Sequence, residues 1–312
     1  MIICAYTLER WANLVAAVGS VRDQTRPALE TIVVIDGNEE LEARARLAFP
    51  AATVIANVHA QGLSGARRSG AERSHGEVLA FIDDDAIADP DWLRYLAGPY
   101  EDSNVLGVGG LIEPLWERPA PSWWPAEFNW VIGCTYAGMP VARHRIRNPI
   151  GANMSVRADV LKRAGAFDPR FGRMPGGTLV AGAAEETEFC IRASRLHPGQ
   201  YWIYEPQARV RHAVPPERAT WRYFVHRCVV EGTAKAQLAR FTGADAGLES
   251  ERHYARSVLP AAALRGLLAG VRGRREGFAR AGAIVAGLGI TAAAYARTMV
   301  RLRGTDADAD PA

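Results

Sequence analysis

Cysteine is scarce: four in 312 residues, Cys4, Cys134, Cys190 and Cys228. They lie far apart and form no CxxC pair, which argues against a zinc site or a disulfide framework and points to a reducing cytosol. A strong charge of one sign is also missing. The formal net charge of +3 is too small to call for a nucleic-acid partner. The opening Met1-Ile2-Ile3-Cys4-Ala5-Tyr6 reads as a strand, without the charged segment and apolar run of a signal peptide. A chain that starts inside a strand is expected to lack a few upstream residues. Glycine is absent from Ala5-Tyr6-Thr7-Leu8-Glu9-Arg10, and the Gly107-Val108-Gly109-Gly110 run comes far too late. A Rossmann dinucleotide fold, which needs G-x-G-x-x-G after its first strand, is therefore set aside. Acids nearly vanish after Arg256, with Glu276 alone before Asp306.

What is present is globular. Hydrophobic residues make up 48% and charged residues 23% of a chain long enough for one large domain or two fused halves. Strand-like runs at 1–5, 31–35, 52–56 and 78–82 alternate with helical spacing at 10–21, 39–49 and, after a turn opened by Gly62, up to 71. This β-α alternation predicts an open, mostly parallel α/β sheet. Such sheets bind ligands beyond the carboxyl ends of their strands. Tyr6, Asp36 and Asp83-Asp84-Asp85 all fall at such ends.

The acidic triplet carries the most chemistry. Val78-Leu79-Ala80-Phe81-Ile82 ends abruptly in three carboxylates. Adjacent anions repel, so a fold tolerates them best where a cation answers, and a hard divalent ion carrying a phosphate suits oxygen ligands. A solvated turn or cap before a helix at Asp91 explains the triplet equally simply. Further on, Pro114, Pro119, Pro121 and Pro125 interleave with Trp116, Trp123, Trp124 and Trp130. Either these rings pack on the core, or they form an aromatic lip over a cleft, where flat faces suit sugars or prenyl chains. Glu185-Glu186-Thr187-Glu188 opens a helix after a Gly-rich loop at 172–182. The helix dipole accounts for acids there; the alternative is a general base at the cleft mouth. His212 ends a strand-like segment, where a lone histidine is more often surface or core than ligand. From 257 to 303, Leu264, Leu267, Leu268 and Val271 share a helix face beside Arg265, Arg272, Arg274 and Arg275. That pattern fits a helix lying on anionic lipid or a hairpin packed on the domain. The uncharged stretch 281–296 is short for a transmembrane helix.

These pieces, in order, resemble the inverting, nucleotide-sugar-dependent glycosyltransferases of family 2, with the GT-A fold. The likeness covers roughly residues 1–235. It rests on Ile2-Ile3-Cys4-Ala5-Tyr6-Thr7; Gln24-Thr25 with 31–38; Gly62-Leu63-Ser64-Gly65-Ala66-Arg67 for G-L-S-x-A-R; and the aspartate triplet in the D-x-D place. It also rests on Gly151-Ala152-Asn153-Met154-Ser155 with Gly165-Ala166-Phe167-Asp168, on Glu185-Glu186 for E-D, and on His212. The resemblance implies a nucleotide-binding half at 1–110 and an acceptor half at 111–215; composition and periodicity add C-terminal helices at 216–303 and a disordered acidic tail at 304–312. It implies that Asp85 and His212 hold Mn²⁺ or Mg²⁺ against the diphosphate. The donor would meet Ala5, Tyr6, Thr7, Asp36, Gly62, Leu63, Ala66, Arg67, Asp83 and Asp84. Asp36 would bond the base, favouring uracil, whose N3–H is a donor. Trp123, Trp124, Gly151, Asn153 and Met154 would face the acceptor. Glu186, or else Glu185, would be the general base.

Three departures stand out: Ile35 precedes Asp36 where the family often has a second acid, Arg68 replaces a common Asn, and Glu186 replaces the usual Asp. Segments 130–136, 147–155 and 185–192 are also similar to transferases acting on polyprenyl-phosphate-linked sugars, including dolichyl-linked glucuronosyl transfer. The expected function is thus transfer of a sugar, from a UDP-sugar, to a hydroxyl on a polyprenyl-linked glycan or another envelope glycoconjugate. The expected place is the cytoplasm, peripheral to the inner membrane face. A sugar nucleotidyltransferase would share the sheet and the acids, but needs a Gly-rich basic loop that residues 6–10 do not supply. A non-catalytic sugar-nucleotide-binding domain would be expected to lose the acids that are retained here.

Overall fold

The structure, a computed structural model, describes residues 1–171, 184–243 and 251–307. The Gly-rich loop at 172–182 lies outside them. Strands β1 (Ile2–Ala5), β2 (Ile32–Ile35), β3 (Thr53–Ala56) and β4 (Val78–Asp83) pair in parallel in the order β3-β2-β1-β4. Helices α1 (Trp11–Arg22), α2 (Glu39–Ala48) and α3 (Leu63–Arg73) connect them. Strands this short and apolar belong in a sheet covered on both faces. Alternation divides their side chains. Ile3, Ala5, Val33 and Ile35 join Leu14 and Val21 of α1 and Leu41 of α2 in one core. Ile2, Ile32 and Val34 join Ala66 of α3 in the other.

Beyond β4 the sheet becomes mixed, continuing as β8-β6-β9-β5 with β7 also on β9. These are β5 (Ala86–Ala88), β6 (Val105–Trp116), β7 (His144–Ile146), β8 (Asn153–Arg157) and β9 (Tyr201–Val214). The two expected halves therefore share one continuous sheet. Helices α4 (Trp92–Ala97), α5 (Ala158–Ala164) and α6 (Glu185–Leu196) complete the layers.

Two local features aim the α3 start at the strand ends. Gly62 sits at φ +126°, a conformation L side chains rarely adopt, and a Cβ on Gly65 would fall 1.9 Å from the Ala60 carbonyl oxygen. Only glycine lets α3 begin this close to its preceding loop.

In the Pro- and Trp-rich stretch Trp124 joins the core, and Trp116, Trp123 and Trp130 pack half-buried against it. Trp124 is 6% exposed. It packs against Trp116, Trp123 and Phe224. Trp123 is wedged between Trp124, Trp221 and Phe224. The expected acceptor role of Trp124 is thus corrected to packing, because its ring has no free face.

The C-terminal segment is a helical hairpin. After α7 (Trp221–Thr242) and a π-helical turn (Tyr254–Val258) come α8 (Leu259–Val271) and α9 (Glu276–Ala307). Helix α9 therefore covers the first residues of the expected disordered tail, and 308–312 lie outside the described residues. Small residues let the helices touch: a Cβ on Gly277 would meet the Gly266 carbonyl oxygen at 2.4 Å, and one on Gly232 of α7 would meet that of Thr291 at 2.3 Å. Leu259, Ala262 and Ile284 enter the main core. The other side of the hairpin leaves Leu264, Leu267, Leu268, Val271, Phe278 and Val285 exposed. By length and composition α9 could cross a membrane, yet it is docked along α7.

Candidate active site

The strand ends bring three ligand-bearing side chains together. Donor atoms of Asp83, Asp85 and His212 all lie within 4.8 Å of one another. Asp83 closes β4. Asp85 precedes β5, whose antiparallel register pairs Ala86 with His212 of β9 and so carries the histidine to the aspartate. His212 Nε2 lies 3.0 Å from Asp85 Oδ1, and both residues are buried. Two carboxylates and an imidazole suit a borderline divalent ion such as Mn²⁺, so the residues fit the expected metal. They differ from the expected pair by including Asp83.

Asp84 is not one of these three. Its Oδ1 accepts from Arg10 Nη1 at 3.1 Å, and its buried Oδ2 has no partner among the described residues. Burial and the neighbouring Asp85 charge push its carboxyl up to about 7. Burial acts the same way on Asp85 but loses to the charge and hydrogen bond of His212, with Arg10 and Arg218 adding to them, and its carboxyl sits well below the usual range. Burial would lower His212, but Asp85 outweighs it and raises the imidazole to about 10. Arg10, at 3.2 Å, and Arg218, at 3.5 Å, both reach Asp85 Oδ2. Sequence reasoning assigned neither arginine, because nothing local marks residues 75 and 133 positions away as neighbours of one acid.

Arg67 joins the end of β4 to the start of α6. It is 2% exposed, with Nη2 at 3.4 Å from Asp83 and Nη1 at 3.3 Å from Glu185. Its guanidinium lies over the Phe167 ring, which gives the Gly165–Asp168 motif a physical purpose. Gly151 serves the same residue, since a Cβ there would meet Arg67 Nη2 at 2.7 Å. Glu185 and Glu186 begin α6, but their environments differ. Glu185 is buried against Arg67. Glu186 is half-buried, and its carboxylate accepts from the backbone amide of its own residue rather than from Arg67. Burial, then the Glu185 charge, push Glu186 up to about 8, with Arg67 opposing.

The remaining predicted residues divide clearly. Tyr6 is exposed beyond β1, and Thr7 Oγ1 accepts from the Glu9 amide at 3.3 Å to start the turn into α1. Asp36 accepts from Asn57 Nδ2 at 2.7 Å and from the Gly62 amide at 2.8 Å, tying the β2 end to the α3 start. Leu63 is half-buried on the first turn of α3. Ala5, Ala66 and Met154 are core residues, so their side chains are corrected to packing roles. Asn153 is likewise corrected. It is fully buried, accepts from Trp92 Nε1 at 2.8 Å, and donates to the Leu111 and Ala208 carbonyls at 3.1 and 2.8 Å. An amide with both N–H donors used and no exposed surface knits three strands together and is not open to an acceptor.

Comparison with known proteins agrees with this geometry. A family model described as glycosyl transferase family 2 matches residues 1–165. A glucosyl-dolichyl phosphate glucuronosyltransferase of Haloferax volcanii is 36% identical over 239 residues, 75% of each chain. A solved mannosyltransferase of Pyrobaculum calidifontis, in complex with GDP-Man and Mn²⁺, superposes with a TM-score of 0.59 at 15% identity, over 92% of this chain and 85% of that one. GalNAc-T7, solved with UDP, GalNAc and Mn²⁺, gives 0.52 at 18% identity over 75% of this chain; the match spans about half, 49%, of that protein. At these identities the two structures establish the shared GT-A fold.

Proposed function

The chain belongs to glycosyltransferase family 2, and from that membership we propose an inverting, metal-dependent transfer from a UDP-sugar to a hydroxyl of a polyprenyl-phosphate-linked glycan. The observation that carries this reading is the meeting of Asp83, Asp85 and His212 on one side of Arg67 with Glu185 and Glu186 on the other. Asp83, Asp85 and His212 would hold Mn²⁺ or Mg²⁺. When bound, the ion neutralises negative charge that gathers on the departing diphosphate.

The chain's own residues do the rest. Arg67 fixes Asp83 and Glu185 across the cleft, so the donor and acceptor sides keep a constant separation. Tyr6, Thr7, Asp36 and Gly62 border the place for the nucleoside. Glu186 takes the proton from the acceptor hydroxyl as that oxygen attacks the anomeric carbon. The bond from that carbon to the diphosphate oxygen breaks on the opposite face, and its electron pair leaves with the nucleoside diphosphate. A single displacement inverts the anomeric centre and needs no enzyme nucleophile.

The lipid-linked acceptor is supported by the Haloferax relative, whose own name gives a dolichyl-phosphate acceptor. It is supported too by the exposed apolar side of the hairpin, with Arg272, Arg274 and Arg275 in its exposed turn. Together these favour a protein resting on the cytoplasmic membrane face. The deciding experiment is donor hydrolysis followed by transfer. Purified protein is incubated with a panel of UDP-, GDP- and dTDP-sugars, with and without Mn²⁺, and then with short-chain polyprenyl-phosphate glycans. Mn²⁺-dependent release of UDP from one sugar, accelerated by one lipid-linked acceptor, is the expected result. Metal-independent release, or an axial-to-axial retained product, would overturn the mechanism.

A further inference from the structure

Near Glu186, four charged side chains from three parts of the chain meet. Arg147, in the loop after β7, donates from Nη1 and Nη2 to the two carboxylate oxygens of Glu251, each at 2.8 Å. Lys235 of α7 donates to the same carboxylate at 2.7 Å and lies 2.9 Å from Glu231. Helix α6, which carries Glu186, packs against α7, which carries Glu231 and Lys235, and the Glu231 charge acts on Glu186 across that contact. A guanidinium fork plus an ammonium converging on two oxygens is the arrangement that binds phosphate or carboxylate. Arg147, Lys235 and Glu251 are each about a fifth exposed, at 21%, 21% and 23%, so solvent reaches them.

We propose that Arg147 and Lys235 form a subsite for the phosphodiester of the acceptor, and that the Glu251 carboxylate occupies it when no acceptor is bound. The inference deepens the lipid-linked reading above and rests on it.

Charge balance selects the ligand class. The cluster holds two cations and two carboxylates. Release of Glu251 to solvent leaves one surplus positive charge, which a singly charged phosphodiester restores to neutrality. A phosphate monoester, nearly doubly charged at neutral pH, would overshoot beside Glu231. A phosphodiester is what joins a sugar to a polyprenyl chain through one phosphate. In such an acceptor the anion lies one sugar away from the attacking hydroxyl, as the cluster lies beside Glu186. The strong hold of the cations on Glu251, whose carboxyl falls to about 2 because Lys235 and Arg147 overcome its burial, shows how well the place suits an anion. The same hold makes Glu251 a competitor for any acceptor.

The test measures binding by tryptophan fluorescence and calorimetry on the full chain without donor. The probes are glucosyl-phosphoryl-farnesol, the uncharged farnesyl glucoside, farnesyl phosphate and diethyl phosphate. Wild-type protein is expected to bind the phosphodiester glycolipid about tenfold more tightly than the glucoside. Glu251→Gln removes the competitor, so it should tighten the phosphodiester about tenfold and leave the glucoside unchanged. Lys235→Met should bring the phosphodiester down to the glucoside's affinity. Diethyl phosphate that competes with the glycolipid would assign recognition to the phosphodiester itself; tighter binding of farnesyl phosphate than of the diester would overturn the charge argument. Equal affinity for diester and glucoside would overturn the proposal, as would a Glu251→Gln protein that binds every probe more weakly, which would mark Glu251 as a clip only. The wild-type comparison needs no variant, so it decides even where a variant does not fold. Donor hydrolysis by the same wild-type sample separates the two readings: hydrolysis without diester preference removes this inference alone, whereas no Mn²⁺-dependent hydrolysis of any sugar nucleotide removes the proposed function.

Discussion

Asp83, Asp84 and Asp85 are consecutive, yet only Asp83 lies in β4; Asp84 and Asp85 form the turn into β5, and of the three only Asp83 and Asp85 bring a carboxylate oxygen close to His212. That geometry decides which of them can share an ion with His212. Asp85→Asn should therefore remove the Mn²⁺ stimulation of UDP-sugar binding and lower turnover by about a hundredfold or more. Calorimetry of the donor with and without Mn²⁺ checks it, and unchanged stimulation would place the ion elsewhere. Glu186→Gln has a different signature: donor affinity is kept while transfer falls about a thousandfold. Glu186 works as a base only when deprotonated, and its carboxyl is raised to about 8. The kcat/KM of the wild type should thus climb with pH up to a bend near that value, falling about tenfold per unit below it, and the bend should be gone in Glu186→Gln. The triplet and the glutamate pair were legible in the sequence because each is contiguous. Their partners Arg10 and Arg218 were not, since only the fold brings either one to Asp85.

At the scale of elements, the first four strands and their helices follow from local pattern, because each short apolar run alternates with a periodic helix. Strand β9 does not. Its fourteen residues include Pro206, and the pairing with β6 shifts register between Gly110 and Leu111 to absorb the irregularity. Only the paired strand places His212 against Ala86. The hairpin is similarly a product of tertiary contact, built on glycines that local rules read as helix breakers. Gly232→Val would drive a side chain into the Thr291 carbonyl, 2.3 Å from the Cβ position. Overpacking of this kind costs about 1–3 kcal/mol, and a thermal melt should fall by several degrees; an unchanged melt would mean that α9 does not rest on α7. Glu251 adds an electrostatic fastening. Its carboxyl lies near 2 when folded against 4.5 in the open chain, so its contribution is complete above about pH 4.5 and is lost as pH falls toward 2. At neutral pH the shift corresponds to about 3 kcal/mol at most. The melting-temperature gap between wild type and Glu251→Gln should accordingly be widest at pH 7 and narrow steadily in acid.

For the molecule as a whole, the resemblance read from the motifs reaches the whole sheet and the matched family model reaches it as far as β8, while the hairpin's placement came only from the structure. The apolar residues of α8 and α9 divide between a side that enters the main core, through Leu259, Ala262 and Ile284, and a side left exposed. A sequence pattern reveals an apolar face but cannot say how much of it the rest of the protein covers. Because part of the hairpin is core, removing it would test folding and membrane binding at once. Reversing charge in its exposed turn separates them. Arg272, Arg274 and Arg275 are exposed and pair with nothing among the described salt bridges. Each arginine near an anionic surface contributes about 1 kcal/mol, so Arg272→Glu, Arg274→Glu and Arg275→Glu together should reduce partitioning onto phosphatidylglycerol vesicles by at least about a hundredfold. The melting temperature and the donor hydrolysis rate in free solution should stay the same, since the turn is remote from the packed faces. Wild-type binding should weaken as salt rises, through screening, but keep an apolar remainder from Leu264, Leu268 and Val271. Sedimentation with neutral and anionic vesicles distinguishes the contributions. Equal binding to both lipids, unaffected by the triple reversal, would assign attachment to the apolar face alone; no binding to either would leave the exposed face without a membrane role.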